Sequence, residues 1–335
     1  MNIEFHYWIT GLIAQHAGFS ADEARIIAGS SQLVDDNDFE INVFDHENDV
    51  VPSYTSHVSQ TMNILLPRRD IMKIYPLFHF LPGDQPQASP RKDGTTHPLN
   101  TTPNSSSANK IMQYSLQSAA SKYKAGDRGG LYRIGVTTHA YVDTWAHQNF
   151  IGWFGDFNAI GSNLMPDIGH ADALHHPDWV SHRWNDERLI NPDVDNIVRF
   201  LLAARNTYKH FLEFQKLINK SPDDRWDQLE TLLTDIFGKS YSGDCEKGGE
   251  ERVARYRTAA NGLADYDDND WLSSATDLKR VFNGATDDYD QKYVWRNAGT
   301  KSQTDWYRFQ EAVKEHMICA SGILQPAFAQ AGISV

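Results

Sequence analysis

The sequence predicts an all-α protein, a bundle of many helices with long irregular loops and a C-terminal helical extension. Three observations carry that expectation: successive stretches with apolar residues at helical spacing, capping signals and glycines that bracket them, and no β-type alternation sustained over several segments. No internal repeat is found. Single cores stop growing near ~250–300 residues, and the chain has 335. We therefore expect a helical core over residues 1–220, with a long loop at 83–108, and an extension over 221–335 packed on the same core.

The elements follow in order. Residues 3–17 read as a helix, with Phe5, Ile9, Leu12 and Ile13 roughly on one side and Gly18 as its stop. Ser20 opens a capping pattern with Glu23 three residues on, and the helix it starts runs to about Asp35. Residues 36–66 are mixed and polar, followed by the short apolar piece KIYPLFHFLPG. Residues 83–108 are rich in Pro, Ser, Thr, Asn and Gly, a composition of loops and, at this length, of functional lids or disordered segments. A helix resumes near Ser106 and closes at Gly126, and LYRIGVTTHAYVDTWAHQNF forms a third strong helix. Residues 151–192 read as irregular loop around a site. A long amphipathic helix follows in DVDNIVRFLLAARNTYKHFLEFQKLI, then helices near 223–238 and 247–263, a polar Trp/Tyr-rich region at 265–310, and a last helix over about 304–320.

Composition narrows the function classes. The formal charge of −13 speaks against a general nucleic-acid binder, and the one basic run, Pro67-Arg68-Arg69, is short. Metal ions can reverse the local sign of a site, so a nuclease is compatible. Cys245 and Cys319 are far apart, form no CxxC, and read as free thiols. The start of the chain lacks the basic and apolar regions of a signal peptide, which gives a cytoplasmic expectation; export by a signal-free route leaves no mark in sequence. No window is apolar enough for a transmembrane segment. Serine-hydrolase, P-loop, HExxH and dinucleotide-binding motifs are absent.

The chemistry concentrates in THAYVDTWAHQNF. His139, Asp143 and His147 follow one another at four-residue steps, which keeps them on one helix face. The two histidines stand about 12 Å apart along the axis at 1.5 Å per residue, too far to share one ion. Asp143 can reach either, and a carboxylate has two oxygens. The spacing therefore favours more than one ion, with His139 and Asp143 on one and His147 on another. Imidazole with carboxylate suits Zn²⁺ best, other divalent metals being compatible. Further candidates are His6 in the first helix, Asp35 and Asp36 at the end of the second, His79 between two aromatics in FHFLPG, and His170 in GHADALHHPD, which also holds Asp172, His175, His176 and Asp178.

The order of these motifs over residues 1–215 resembles the superfamily of zinc-dependent phospholipase C and fungal-type single-strand nucleases. SSQLVDDN, FHFLPG, TTPNSS and HAYVDTWAHQNF also look like an uncharacterised bacterial family, filed as a domain of unknown function. The superfamily resemblance implies an all-helical fold with clustered zinc ions that cleave phosphodiesters. It implies His6, Asp35 or Asp36, His79, His139, Asp143, His147 and His170 as ligands, with Asp143 bridging two ions. Two departures are plain. The gap from Asp143 to His147 is four residues where six is usual, and position 174 is Leu where an acid is expected, leaving Asp172 or Asp178 as substitutes. The family's amino-terminal ligand corresponds to the Met1 amine or, in its place, Glu4. Two or three ions are expected.

The leading expectation is a zinc-dependent phosphoric-ester hydrolase of phospholipase C type, in which water on the metal attacks phosphorus. Asp35 or Asp36 would orient that water or act as base. Trp145, Phe80 and Trp153 could line an apolar approach for a small or lipid phosphoester, and loop 83–108 could cover the cleft. The alternatives are a nuclease on the same metals and a non-enzymatic structural zinc protein. No protein partner is indicated.

Overall fold

The computed structural model describes residues 1–61, 73–85, 88–161, 167–283 and 288–334. The basic run Pro67-Arg68-Arg69 lies outside them. A π-helical segment, Glu4–Ile9, leads directly into helix α1, Thr10–His16. Helix α2, Ala21–Asp36, starts on the Ser20/Glu23 capping box, both of whose reciprocal hydrogen bonds form. The short α3 is Ile74–Phe78, α4 is Ser106–Lys124, and α5 is Gly129–Ala146.

Helix α5 is the axis of the molecule. Every residue from Gly130 to Ala146 is buried, because α2, α4, α10 (Asp305–Gln330) and α6 (Asn196–Leu217) pack around it. A helix covered on all sides by other helices lies at the centre of a large core, and the polar residues of α5 are buried with it. The closest approach is to α2 at Gly135: a Cβ there would lie 2.4 Å from the Ile27 carbonyl oxygen, so only glycine lets the two backbones touch. Helices α7, Trp226–Phe237, and α8, Gly249–Ala259, pack on the N-terminal helices, and α9 is Asp270–Ala275.

The all-α expectation is overturned. About 52% of the molecule is helical and 11% is strand, which makes the class α/β. Strands β1 (Asn42–Phe44), β2 (Tyr54–Thr55), β5 (Thr276–Asn283) and β6 (Asp288–Trp295) form one sheet in the order β2-β1-β6-β5, and β3 (Arg183–Asn185) pairs with β4 (Asp193–Asp195). The β1/β6 pair is parallel and the others antiparallel. The physical reason is the position of the β5/β6 hairpin. Only Val294 and Trp295 of β6 are buried, so its strands show no in/out hydrophobic period. Cross-strand pairs such as Phe282–Tyr289 and Leu278–Tyr293 support it instead.

The C-terminal segment is tied to the N-terminal one at several points. Strand β1 pairs with β6, Tyr54 packs against Trp295 and Trp306, and Arg252 binds Glu4. One hydrophobic cluster runs from Met1 to Phe328. Loop 83–108 is pinned by a bridge from Pro82 to Thr101 and another from Arg91 to Leu189. Among its described residues none lines the cavity described next, so the lid expectation is not met there. Among the described residues no helix is long and apolar enough to cross a membrane.

Candidate metal centre

The contact at Gly135 sets the geometry. With α2 and α5 in touch there, the Ser31 carbonyl, one turn along α2 from Ile27, meets the ring of His139, one turn along α5. His139 Nδ1 donates to that carbonyl at 2.8 Å. A carbonyl oxygen only accepts, so Nδ1 carries a proton and Nε2 is turned toward the cluster. Asp35, a further turn along α2, points its Oδ1 at that nitrogen from 3.6 Å.

The same device fixes the other rings. His79 Nε2 donates to the Ser59 carbonyl at 2.9 Å, His147 Nδ1 to the His79 carbonyl at 2.7 Å, and His170 Nδ1 to the Leu174 carbonyl at 2.7 Å. Each remaining nitrogen then faces an acceptor. His79 Nδ1 and His139 Nε2 stand 3.0 Å apart. His147 Nε2 is 3.2 Å from Asp178 Oδ1, and His170 Nε2 is 3.4 Å from Asp178 Oδ2. Each such pair is relieved by a proton on one partner or by a cation between the two. His6 is fully buried with neither ring nitrogen hydrogen-bonded, and Asp143 Oδ2 likewise receives no donor. Unpartnered buried polar atoms are costly and call for an occupant.

The separations discriminate further. Four donors about 2.0–2.2 Å from a zinc ion in a tetrahedron lie about 3.3–3.6 Å apart. Asp35 Oδ1, His79 Nδ1, His139 Nε2 and Asp143 Oδ2 are mutually separated by 3.0, 3.3, 3.4, 3.6 and 3.7 Å over five pairs. His79, His139 and Asp143 therefore fit a zinc ion, and Asp35 stands beside them. On the other side of the Asp143 carboxylate, Oδ1 meets the Met1 amino group at 2.5 Å and His6 Nε2 at 3.2 Å. His147, His170 and Asp178 make a further set of donors that can share an ion. His139 Nε2 also converges with His6 and Asp35, but its single lone pair can serve one ion only.

Charge and burial are balanced in the cluster. Burial alone would raise the Asp143 carboxyl; the neighbouring charges of His147, the Met1 amine, His139 and His6 override it and hold the group well below the usual carboxylate range. Asp178 is held low in the same way, by His170 and the Met1 amine against its burial. Burial pulls His6 and His170 down to about 4. Burial would also lower the Met1 amine, but Asp143, Asp178 and Asp35 raise it to about 10.

Of the residues singled out in sequence, His6, Asp35, His79, His139, Asp143, His147 and His170 converge here. Asp36 does not. It points away from the ring cluster, and its carboxylate accepts from Gln32 and Tyr266, because the next residue along a helix faces about 100° round from Asp35. Glu4 is held by Arg252 through two bonds of 2.7 Å, so the Met1 amine, not Glu4, stands at Asp143. Asp172 is bonded to the Ile160 amide, and Asp178 is the acid beside His170. Phe80 stacks on His147 at 4.5 Å, whereas Trp145 is a core residue packed on Tyr141, and Trp153 packs against the main core. Sequence reasoning missed Gln60, whose amide nitrogen is 3.4 Å from Asp35 Oδ1, and the four orienting carbonyls. A backbone oxygen leaves no trace in residue type.

The cluster opens into a cavity of about 400 Å³, lined on its donor side by Asp35, Asp143 and Asp178 and elsewhere by Tyr75, Phe80 and Ile168. A family model described as "Family of unknown function (DUF6765)" matches residues 1–323. No curated protein and no solved structure matches the chain.

Proposed function

This chain belongs to the family of unknown function DUF6765, and we propose that it is a metal-dependent phosphoric-ester hydrolase of phospholipase C type, with zinc as the metal. The observation that carries the proposal is the convergence of His79, His139 and Asp143, three donors that can share an ion, with the more exposed Asp35 beside them and an open cavity in front. A purely structural zinc site is closed. Here the Asp35 side chain keeps 25% exposure, and the cavity offers room for a substrate.

Zinc bound in this site would supply Lewis acidity, bringing the acidity of water toward neutral and drawing off charge that develops on phosphoryl oxygens. The chain's own groups do the rest. Asp35, the most exposed carboxylate of the cluster, can take the proton of the attacking water. Gln60 steadies that carboxylate by donating to Oδ1. Asp143, buried and ionised, faces the rings of His6, His79 and His139 at 3.2, 3.4 and 3.3 Å. Phe80, stacked on His147, keeps water from that flank, which strengthens every charge interaction inside.

The test is turnover by zinc-loaded protein of phosphatidylcholine and of single-stranded DNA, following released phosphocholine and acid-soluble nucleotides. We expect phosphocholine release, lowered on the order of 10³-fold or more in Asp143→Ala with the fold retained by circular dichroism, as when a group central to a charge-stabilising site is removed. Nucleotide release alone would move the substrate to nucleic acid. Unfolding on chelation with no turnover of either would leave a structural zinc protein and end the hydrolase proposal.

A further inference from the structure

Leu174 stands out on three independent counts. It is a large apolar side chain left 50% exposed. It stands on the wall of the cavity. Its backbone has φ +51° and ψ −130°, a left-handed conformation that glycine fills readily and a leucine rarely adopts. Two groups of the residue face the site from that conformation. Its carbonyl receives His170 Nδ1 at 2.7 Å and so sets the direction of the other ring nitrogen toward Asp178. Its side chain joins Tyr75, Phe80 and Ile168 as the apolar part of the cavity. The orienting carbonyl alone would be served as well by glycine, so the leucine side chain calls for its own explanation. Unpaired apolar surface beside a polar donor cluster is what orients an amphiphilic ligand.

We propose that Leu174 is a specificity-determining residue, receiving an apolar group joined to the phosphoester whose phosphoryl end meets the donor cluster. The phosphoester half rests on the hydrolase function proposed above; the apolar half rests on Leu174 itself. Asn tolerates a left-handed backbone and keeps the carbonyl in place, so Leu174→Asn removes the apolar surface while preserving the bond to His170.

The experiment compares 4-nitrophenyl phosphodiesters carrying a methyl or a hexyl group as substrates of zinc-loaded protein. The native protein is expected to prefer the hexyl ester by about tenfold or more in kcat/KM, through KM, the size expected when several methylenes are buried in a pocket. Leu174→Asn is expected to lose most of that preference. An equal fall on both esters would make Leu174 merely structural and overturn the proposal; so would a preference unchanged in the variant. If neither ester is turned over, the hydrolase proposal falls, and calorimetric binding of hexylphosphonate against methylphosphonate decides this one. A hexyl preference lost in Leu174→Asn supports it, and a preference absent or unaltered overturns it.

Discussion

The donor cluster depends on single atoms, and the protein fixes them with backbone rather than with side-chain partners. Leu174 is the most strained of these devices, since a residue held in a sparsely populated backbone region costs on the order of 1–3 kcal/mol. Leu174→Gly should therefore raise the unfolding free energy by roughly 1 kcal/mol, measured in urea, because a half-exposed side chain gives up little contact in exchange. A second residue-scale prediction concerns pH. Glu246 is exposed but packed next to Glu4 and Arg252; partial desolvation first, then the Glu4 carboxylate, pushes its carboxyl up to about 7. Its folded pKa exceeds its unfolded one, so the folded state holds the proton more tightly. The contribution to stability is then fully present below the ordinary glutamate range and is lost as pH rises through about 7. Thermal melts from pH 5 to 8 should fall more steeply for the native protein than for Glu246→Gln, and parallel curves would contradict the assignment.

At the scale of elements, the decisive contact is that between α2 and α5. Gly135→Ala would set a methyl group 2.4 Å from the Ile27 carbonyl and force the helices apart. Overpacking of this kind typically costs about 1–3 kcal/mol. Because Ser31 and Asp35 ride on α2, the same separation should loosen their hold on His139 and lower zinc occupancy, which metal analysis of the purified variant would read. A variant that melts earlier yet keeps its full zinc content would show that the helix contact does not position the donors. The elements also show how much a sequence discloses. Helices α2, α4, α5 and α6 were legible because each carries a cap, a stop or a long apolar face, and the four-residue steps of His139, Asp143 and His147 follow from α5 alone. The β5/β6 hairpin was not, since its stability comes from cross-strand pairs on an arm that stays largely in solvent. Its one local signal, Asn-Gly at 283–284, needs flanking alternation to count as a hairpin turn. Asp178 was left open against Asp172 because the turn between them, with Leu174 in a left-handed conformation, reverses the chain in a way no side-chain period encodes.

Across the whole molecule, the candidate ligands come from five separated stretches, at His6, Asp35, His79, His139 to His147, and His170 to Asp178. Ions held by these residues would cross-link the tertiary fold and have no counterpart in the unfolded chain. Zinc at a thousandfold its dissociation constant should then add about 4 kcal/mol to stability, and a chelator should remove it, both visible as shifts of the melting temperature. Seven residues dispersed between His6 and His170 could be picked out from sequence as candidates, while Asp36 could not be separated from Asp35. Clustering of ligand types is visible in residue identity, but the face of α2 that meets α5 is decided only by the packing at Gly135. The central claim is that the Asp143 carboxylate is shared between neighbouring cations, one bounded by Asp35, His79 and His139 and another by His6. Anomalous scattering at the zinc edge from zinc-supplemented crystals tests it most directly. The account predicts a peak within bonding distance of each Asp143 oxygen; the absence of any peak there, with the imidazoles turned apart, would contradict it.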